Sequence, residues 1–248
     1  MSTEMYVRKL VKKSQHLMNV GKPKQALNVL IYALAATQDV DRQTEGASLL
    51  PRIYHRIAQA EAMTGNISAS LKVFALAEES FDTTNVIGRS RVLRDHGLIV
   101  WEHIDETEGK RLIELALQAL RNPTKTNGRW ELEYLVTEGF LARLIAGEQP
   151  TKALEVFLRV DAYVHGGSKW IYELDNLEQL IPLLPRSKRP LYLLRASLLA
   201  SKMVVTDEAT HVKNALRHHD MLSAPLGCVA RISVRLPRSI LNRAFAML

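Results

Sequence analysis

At 248 residues, with 47% apolar and 24% charged side chains, the chain has the composition of an ordinary folded protein and the length to bury roughly 70 to 75% of its unfolded surface, which excludes the disordered and fibrous classes. No apolar run reaches the roughly 18 residues a spanning helix needs, and the opening MSTEMYVRKLVKK interleaves Arg8, Lys9, Lys12 and Lys13 with apolar positions, so neither a membrane span nor a signal peptide is expected. The net charge of +7 is unevenly placed: residues 184–248 carry eleven Lys and Arg against three acids, giving +8, and residues 1–183 carry 22 against 23, giving −1.

In chain order, residues 5–20 read as a helix with Met5, Leu10, Val11, Leu17 and Met18 as its apolar stripe, ended by Gly21 in a left-handed cap. Pro23 opens the next helix, where the first-turn amide has no partner inside the helix, and Ala26, Leu27, Leu30, Ile31 and Leu34 supply its buried face. After a polar loop from Gln38 to Gly46, residues 52–82 form two antiparallel helices joined by a turn at Thr64, Gly65 and Asn66. Tyr54, Ile57, Ala58 and Met63 stripe the first; Leu71, Phe74, Ala75 and Ala77 stripe the second, which Asn66 is placed to cap. A third pair spans about 88–121, with Val92, Leu93, Gly97, Val100 and Trp101 in its first helix. Its second carries Leu112, Ile113, Ala116, Leu117 and Leu120 behind Asp105 and Glu108, which have capping-box spacing, and Pro123 stops it. A fourth pair places Trp130, Leu132, Leu135, Phe140 and Leu144 before Gly147 and Pro150, then Ala153, Leu154 and Phe157, and Gly166 and Gly167 close it. Ser168 is placed to cap a helix to about Leu180; Pro182, Pro185 and Pro190 then interrupt the pattern, and helices follow at about 190–203 and 207–221, the latter capped by Thr206.

None of these stripes can be buried by a single hairpin, so neighbouring hairpins must cover them. The aromatic, apolar and small residues of 52–63, the Gly-Asn turn and the Ser70, Phe74, Ala77 series resemble the tetratricopeptide repeat, in which small residues let paired helices approach closely. The small position of each second helix aligns as Ala26, Ser70, Gly109 and Ala153, with spacings of 44, 39 and 44 residues; the tetratricopeptide unit is about 34, so these units are longer. The resemblance covers roughly residues 5–165. It implies an all-α fold, a right-handed solenoid of antiparallel helix pairs over residues 1–222, followed by an irregular basic segment at 223–248, and a non-enzymatic scaffold binding a protein partner.

Motifs that would argue for catalysis are absent: there is no phosphate-cradling glycine loop, nucleophile elbow or metalloprotease helix. The single cysteine, Cys228, excludes an internal disulfide and a cysteine zinc cluster and fits a reducing cytoplasm. His211, His218 and His219 share one side of the helix expected at 207–221, but two turns between ligands spoil chelation, so neither metal nor cofactor is expected. Trp101, Trp130 and Trp170 sit in apolar stripes, where large aromatics fill cores.

In tetratricopeptide-like solenoids the first helix of each pair lines the concave surface. The resemblance therefore assigns partner binding to Arg8, Lys12 and Gln15, with Asn19 beyond them, to Arg52, His55, Arg56 and Gln59, and to Arg91 and Arg94 beside Asp95. Helical spacing sets each group in a row along one face. The family's carboxylate-clamp pattern does not transfer, because Val11 and Gln15 stand at the first pair's positions and Asp95 follows Arg91 in the third. The expected ligand is an acidic protein segment. Solvated helix faces carry such charges too. In the tail, Arg231, Arg235, Arg238 and Arg243 have no acid among them, which fits either a capping helix or a docking segment. The alternative function is a nucleic-acid-associated or peptide-sensing regulator that uses this basic quarter.

Overall fold

The computed structural model describes residues 2–19, 21–38, 49–82, 84–121, 128–165 and 170–205. Among the described residues the chain forms ten α-helices and no strand: α1 (Thr3–Asn19), α2 (Pro23–Gln38), α3 (Leu50–Met63), α4 (Ile67–Ser80), α5 (Val86–His103), α6 (Glu106–Leu120), α7 (Gly128–Ile145), α8 (Pro150–Val164), α9 (Trp170–Leu180) and α10 (Arg189–Val205), with a 3₁₀ turn at Ile181–Leu183. No described helix is long and apolar enough to cross a membrane. The helix expected at 207–221 with its three histidines, the domain boundary at 222, Cys228 and the tail arginines Arg231, Arg235, Arg238 and Arg243 lie outside the described residues.

The chain divides into two compact units, residues 1–137 and 138–248. In the first, α1 packs on α2, α3 on α4 and α5 on α6, and successive pairs meet through α2 with α3 and α4 with α5. The first helices of successive pairs also touch, α1 with α3 and α3 with α5. Helix α3 is consequently covered on two sides. Ile53, Ile57 and Ala60 join Val7, Met18, Leu30 and Ala33 in one apolar cluster, and Ala58 joins Phe74, Ala77, Phe81 and Val92 in the next. This is the mutual covering of hairpins expected of an all-α helical repeat.

Local chemistry explains the turns. After α1, the Gly21 amide bonds the Met18 carbonyl at 2.9 Å and Lys22 bonds Leu17 at 2.8 Å; after α3, Gly65 bonds Ala62 and Asn66 bonds Glu61, both at 2.9 Å. Both are Schellman closures, and both need a left-handed residue, supplied by Gly21 at φ 72° and Gly65 at φ 85°. Asp105 caps α6 through the Glu108 amide at 2.7 Å, but the Glu108 carboxylate binds Arg111 and does not complete a capping box. Asn85 caps α5 through the Gly88 amide, and the helix starts at Val86, two residues before the expected start at about 88. Asn66 occupies the cap position of α4 without making the cap bond; its amide nitrogen is drawn to Glu61 and Thr64.

The small residues Ala26, Ser70, Gly109 and Ala153 are all buried. Ser70 hides its hydroxyl by donating to the Ala58 carbonyl at 2.8 Å, and a Cβ placed on Gly97 would lie 2.8 Å from the Gly109 carbonyl, so α5 and α6 approach at backbone distance. Four stripe assignments are corrected. Met5, Ile31, Met63 and Ala75 are exposed, whereas Val7, Ser14, Ala33 and Ile53 take the buried positions, because the direction of a stripe is set by where the neighbouring helix lies. Trp101 and Trp130 are only half-buried; the first lies over Gly109 and the second stacks on Tyr134 with ring centres 5.6 Å apart.

In the second unit α8 packs on α9 and α9 on α10. Arg195 of α10 donates to both carboxylate oxygens of Asp161 at 2.7 and 3.0 Å and also to Glu173, with all three residues buried. Burial works against the charged guanidinium, but the two carboxylates outweigh it and raise its pKa.

Candidate functional site

The contacts of α1, α3 and α5 bring Arg8, Arg52 and Arg91 from three consecutive hairpins to neighbouring helices. At these helices lies a pocket of about 300 Å³, lined by the apolar Val11, Phe81 and Ile87, by Gly88, and by the polar Arg52, His55, Arg56, Asn85, Arg91 and Arg129. Partial burial lowers the Arg52 pKa, and Arg129, Arg8 and Arg91 lower it further by repulsion, so the cations are close enough to feel one another. Asn85 and Gly88 add the first turn of α5, where the helix dipole is positive.

Behind the pocket lies a network with two acids at its centre. Asp95 accepts from His55 Nε2 at 2.8 Å and from Gln59 Nε2 at 2.6 Å on one oxygen, and from Arg94 Nε at 2.9 Å on the other. Glu133 of α7, itself buried, accepts from Arg91 Nε on one oxygen and Arg94 Nη1 on the other. Burial alone would raise the Asp95 pKa, but Arg94 and His55 hold it well below the usual carboxylate range.

The expected row of ligand-reading cations is thereby divided. His55 and Gln59 are turned onto Asp95, and Arg94 onto Asp95 and Glu133. Arg56 lines the pocket and donates to Gln59 Oε1 at 2.6 Å. Arg91 is bound by Nε, while its terminal nitrogens have no hydrogen bond among the described residues. Arg52 and Arg129 have no carboxylate partner among the described residues. Arg8 is held by Glu4 at 2.6 Å on the exposed side of α1; Gln15 donates to Asn19 at 2.8 Å; Lys12 is exposed, and neither it nor Gln15 lines the pocket.

Arg129 was not foreseen, since it sits one residue before Trp130 at the start of the fourth pair, and only the arrival of α7 beside α5 brings it in. Asn85 and Phe81 were missed because they belong to the junction between α4 and α5, outside any first-helix row. The one sequence signal for Arg129 was its place in the first turn of a first helix, next to the aromatic that opens the stripe. Among the described residues no three His, Cys, Asp or Glu side chains cluster as a metal site would. Comparison with protein-family models, curated proteins and solved structures yields no match.

Proposed function

We propose that the chain is a non-enzymatic, tetratricopeptide-like interaction module that binds an acidic segment of a partner protein at the pocket of the first unit. The observation that carries this reading is the convergence of Arg52, Arg56, Arg91 and Arg129 from α3, α5 and α7 on one recess with apolar walls. Arg56 and Arg91 are half-buried there, where attraction to a carboxylate is stronger than on an open surface, while Arg52 and Arg129 stand exposed beside them. The Asp95 and Glu133 network supports the reading by fixing α3, α5 and α7 to one another, so the site is built before the ligand arrives. The setting proposed is the reducing cytoplasm, on the strength of the lone cysteine.

The test uses a fluorescent library of acidic peptides and the double variant Arg52→Glu, Arg56→Glu. Binding should weaken and lose most of its salt dependence while the helical circular dichroism signal persists. Equal binding by the variant sinks the proposal. The +8 of residues 184–248 favours a second reading, nucleic-acid association through the C-terminal quarter. In that case retention on RNA or DNA would fall steeply with salt and survive the double variant.

A further inference from the structure

We propose that the pocket of the first unit takes a phosphoryl dianion carried on a side chain of the acidic segment, so that the module reads phosphorylation. The proposal rests on the acidic-segment reading above and adds the chemical group it recognises. Three features of the pocket select that group over a carboxylate.

The first is charge. Arg52 and Arg129 have no acid partner among the described residues, and Glu133 meets Arg91 only through Nε. Two uncompensated guanidiniums and the free end of a third call for a dianion; a carboxylate brings one negative charge, whereas a phosphoryl group brings about 1.5 to 2 near neutral pH. The second is geometry. The donors come from three separate helices, α3, α5 and α7, and a tetrahedral group with three terminal oxygens can accept from more of them than a planar carboxylate, whose two oxygens a single guanidinium fork occupies. The third is size and lining. The volume of about 300 Å³ lies at the small end of ligand pockets, about 300 to 1,000 Å³, enough for one modified side chain with its stem against Val11, Phe81 and Ile87. Asn85 and Gly88 also bring the positive dipole end of α5 to the pocket. Partial burial and then the nearness of Arg129, Arg8 and Arg91 disfavour the Arg52 charge, a cost that an arriving dianion relieves.

The test uses the full chain and three fluorescent peptide libraries with the same randomised acidic flanks, differing only in a central phosphoserine, glutamate or serine. Phosphoserine should bind about tenfold or more tighter than glutamate. Arg52→Gln and Arg129→Gln should each remove most of that preference, and Arg52→Lys should not restore it, because a lysine cannot offer the fork. Lys24→Gln, at an exposed position of α2 outside the pocket, should leave the preference unchanged. Equal binding of the glutamate and phosphoserine libraries overturns the phosphoryl inference and leaves the acidic-segment reading standing. Failure of all three libraries overturns both. Displacement of the phosphoserine library by a twelve-nucleotide single-stranded RNA at lower concentration than free phosphoserine overturns a protein source for the phosphate. The library comparison is made on the unaltered chain, so a poorly folding variant does not remove the test.

Discussion

His55 and Asp95, on α3 and α5, are joined by a hydrogen bond of 2.8 Å between Nε2 and Oδ2. An ionised carboxylate only accepts, so the imidazole donates through Nε2. With Gln59 and Arg94 on the same carboxylate, Asp95 ties two hairpins together behind the pocket. Its folded-state pKa is depressed below the unfolded value of about 3.9. Its contribution to stability is therefore present in full above that value and declines as pH falls below about 4 toward the folded pKa. Asp95→Asn should lower stability by about 2 to 3 kcal/mol at pH 7, and denaturant melts should show a smaller difference at pH 3. A difference independent of pH would contradict the ionised role.

Arg195 is enclosed by Asp161 and Glu173, and removing it leaves two buried carboxylates facing each other. Arg195→Met should destabilise the second unit by about 3 to 5 kcal/mol at neutral pH. Adding Asp161→Asn should recover part of the loss, because one of the uncompensated charges goes with it. Chemical denaturation of the single and double variants checks both statements.

Gly97 and Gly109 set the separation of α5 from α6. Gly97→Val should force the helices apart and destabilise the first unit by about 1 to 3 kcal/mol, despite the valine's greater apolar area. Thermal melts should also show a lower cost for Gly65→Asn than for Gly65→Val, since Asn tolerates the left-handed turn at φ 85° and no atom crowds the position.

Phe74 is fully buried between α3 and α5, with its ring stacked on His96 at 5.2 Å and tilted against His55 at 6.0 Å. Phe74→Ala should cost about 3 to 5 kcal/mol. Because His55 leans on this ring, the same variant should weaken acidic-peptide binding at temperatures where the fold persists. Stability equal to the parent chain would show that the core of the second hairpin lies elsewhere.

What could be read from the residues alone was whatever local chemistry decides. Gly21 and Gly65 end helices because only a left-handed residue closes those turns; Pro23 and Pro150 open them; Asp105 caps α6; and Ala26, Ser70, Gly109 and Ala153 are buried where paired helices must approach. That Arg52, Arg56 and Arg91 share one recess was legible too, because rows on first helices become neighbours once hairpins stack. The rest needed the tertiary structure. A helical period gives the width of an apolar stripe but leaves its direction open by about one residue, 100° of rotation, which is how Met5, Ile31 and Met63 came to face outward while Val7 and Ala33 faced in. Charge pairing was further out of reach. His55 meets Asp95 across 40 residues and Arg91 meets Glu133 across 42, and each acid's choice among several cations depends on how far one hairpin is displaced along the next. The same packing carries Arg129 to the pocket and turns Arg94 onto Asp95 and Glu133, so which arginines line the pocket was decided by the stacking of helices and by no property of the arginines themselves.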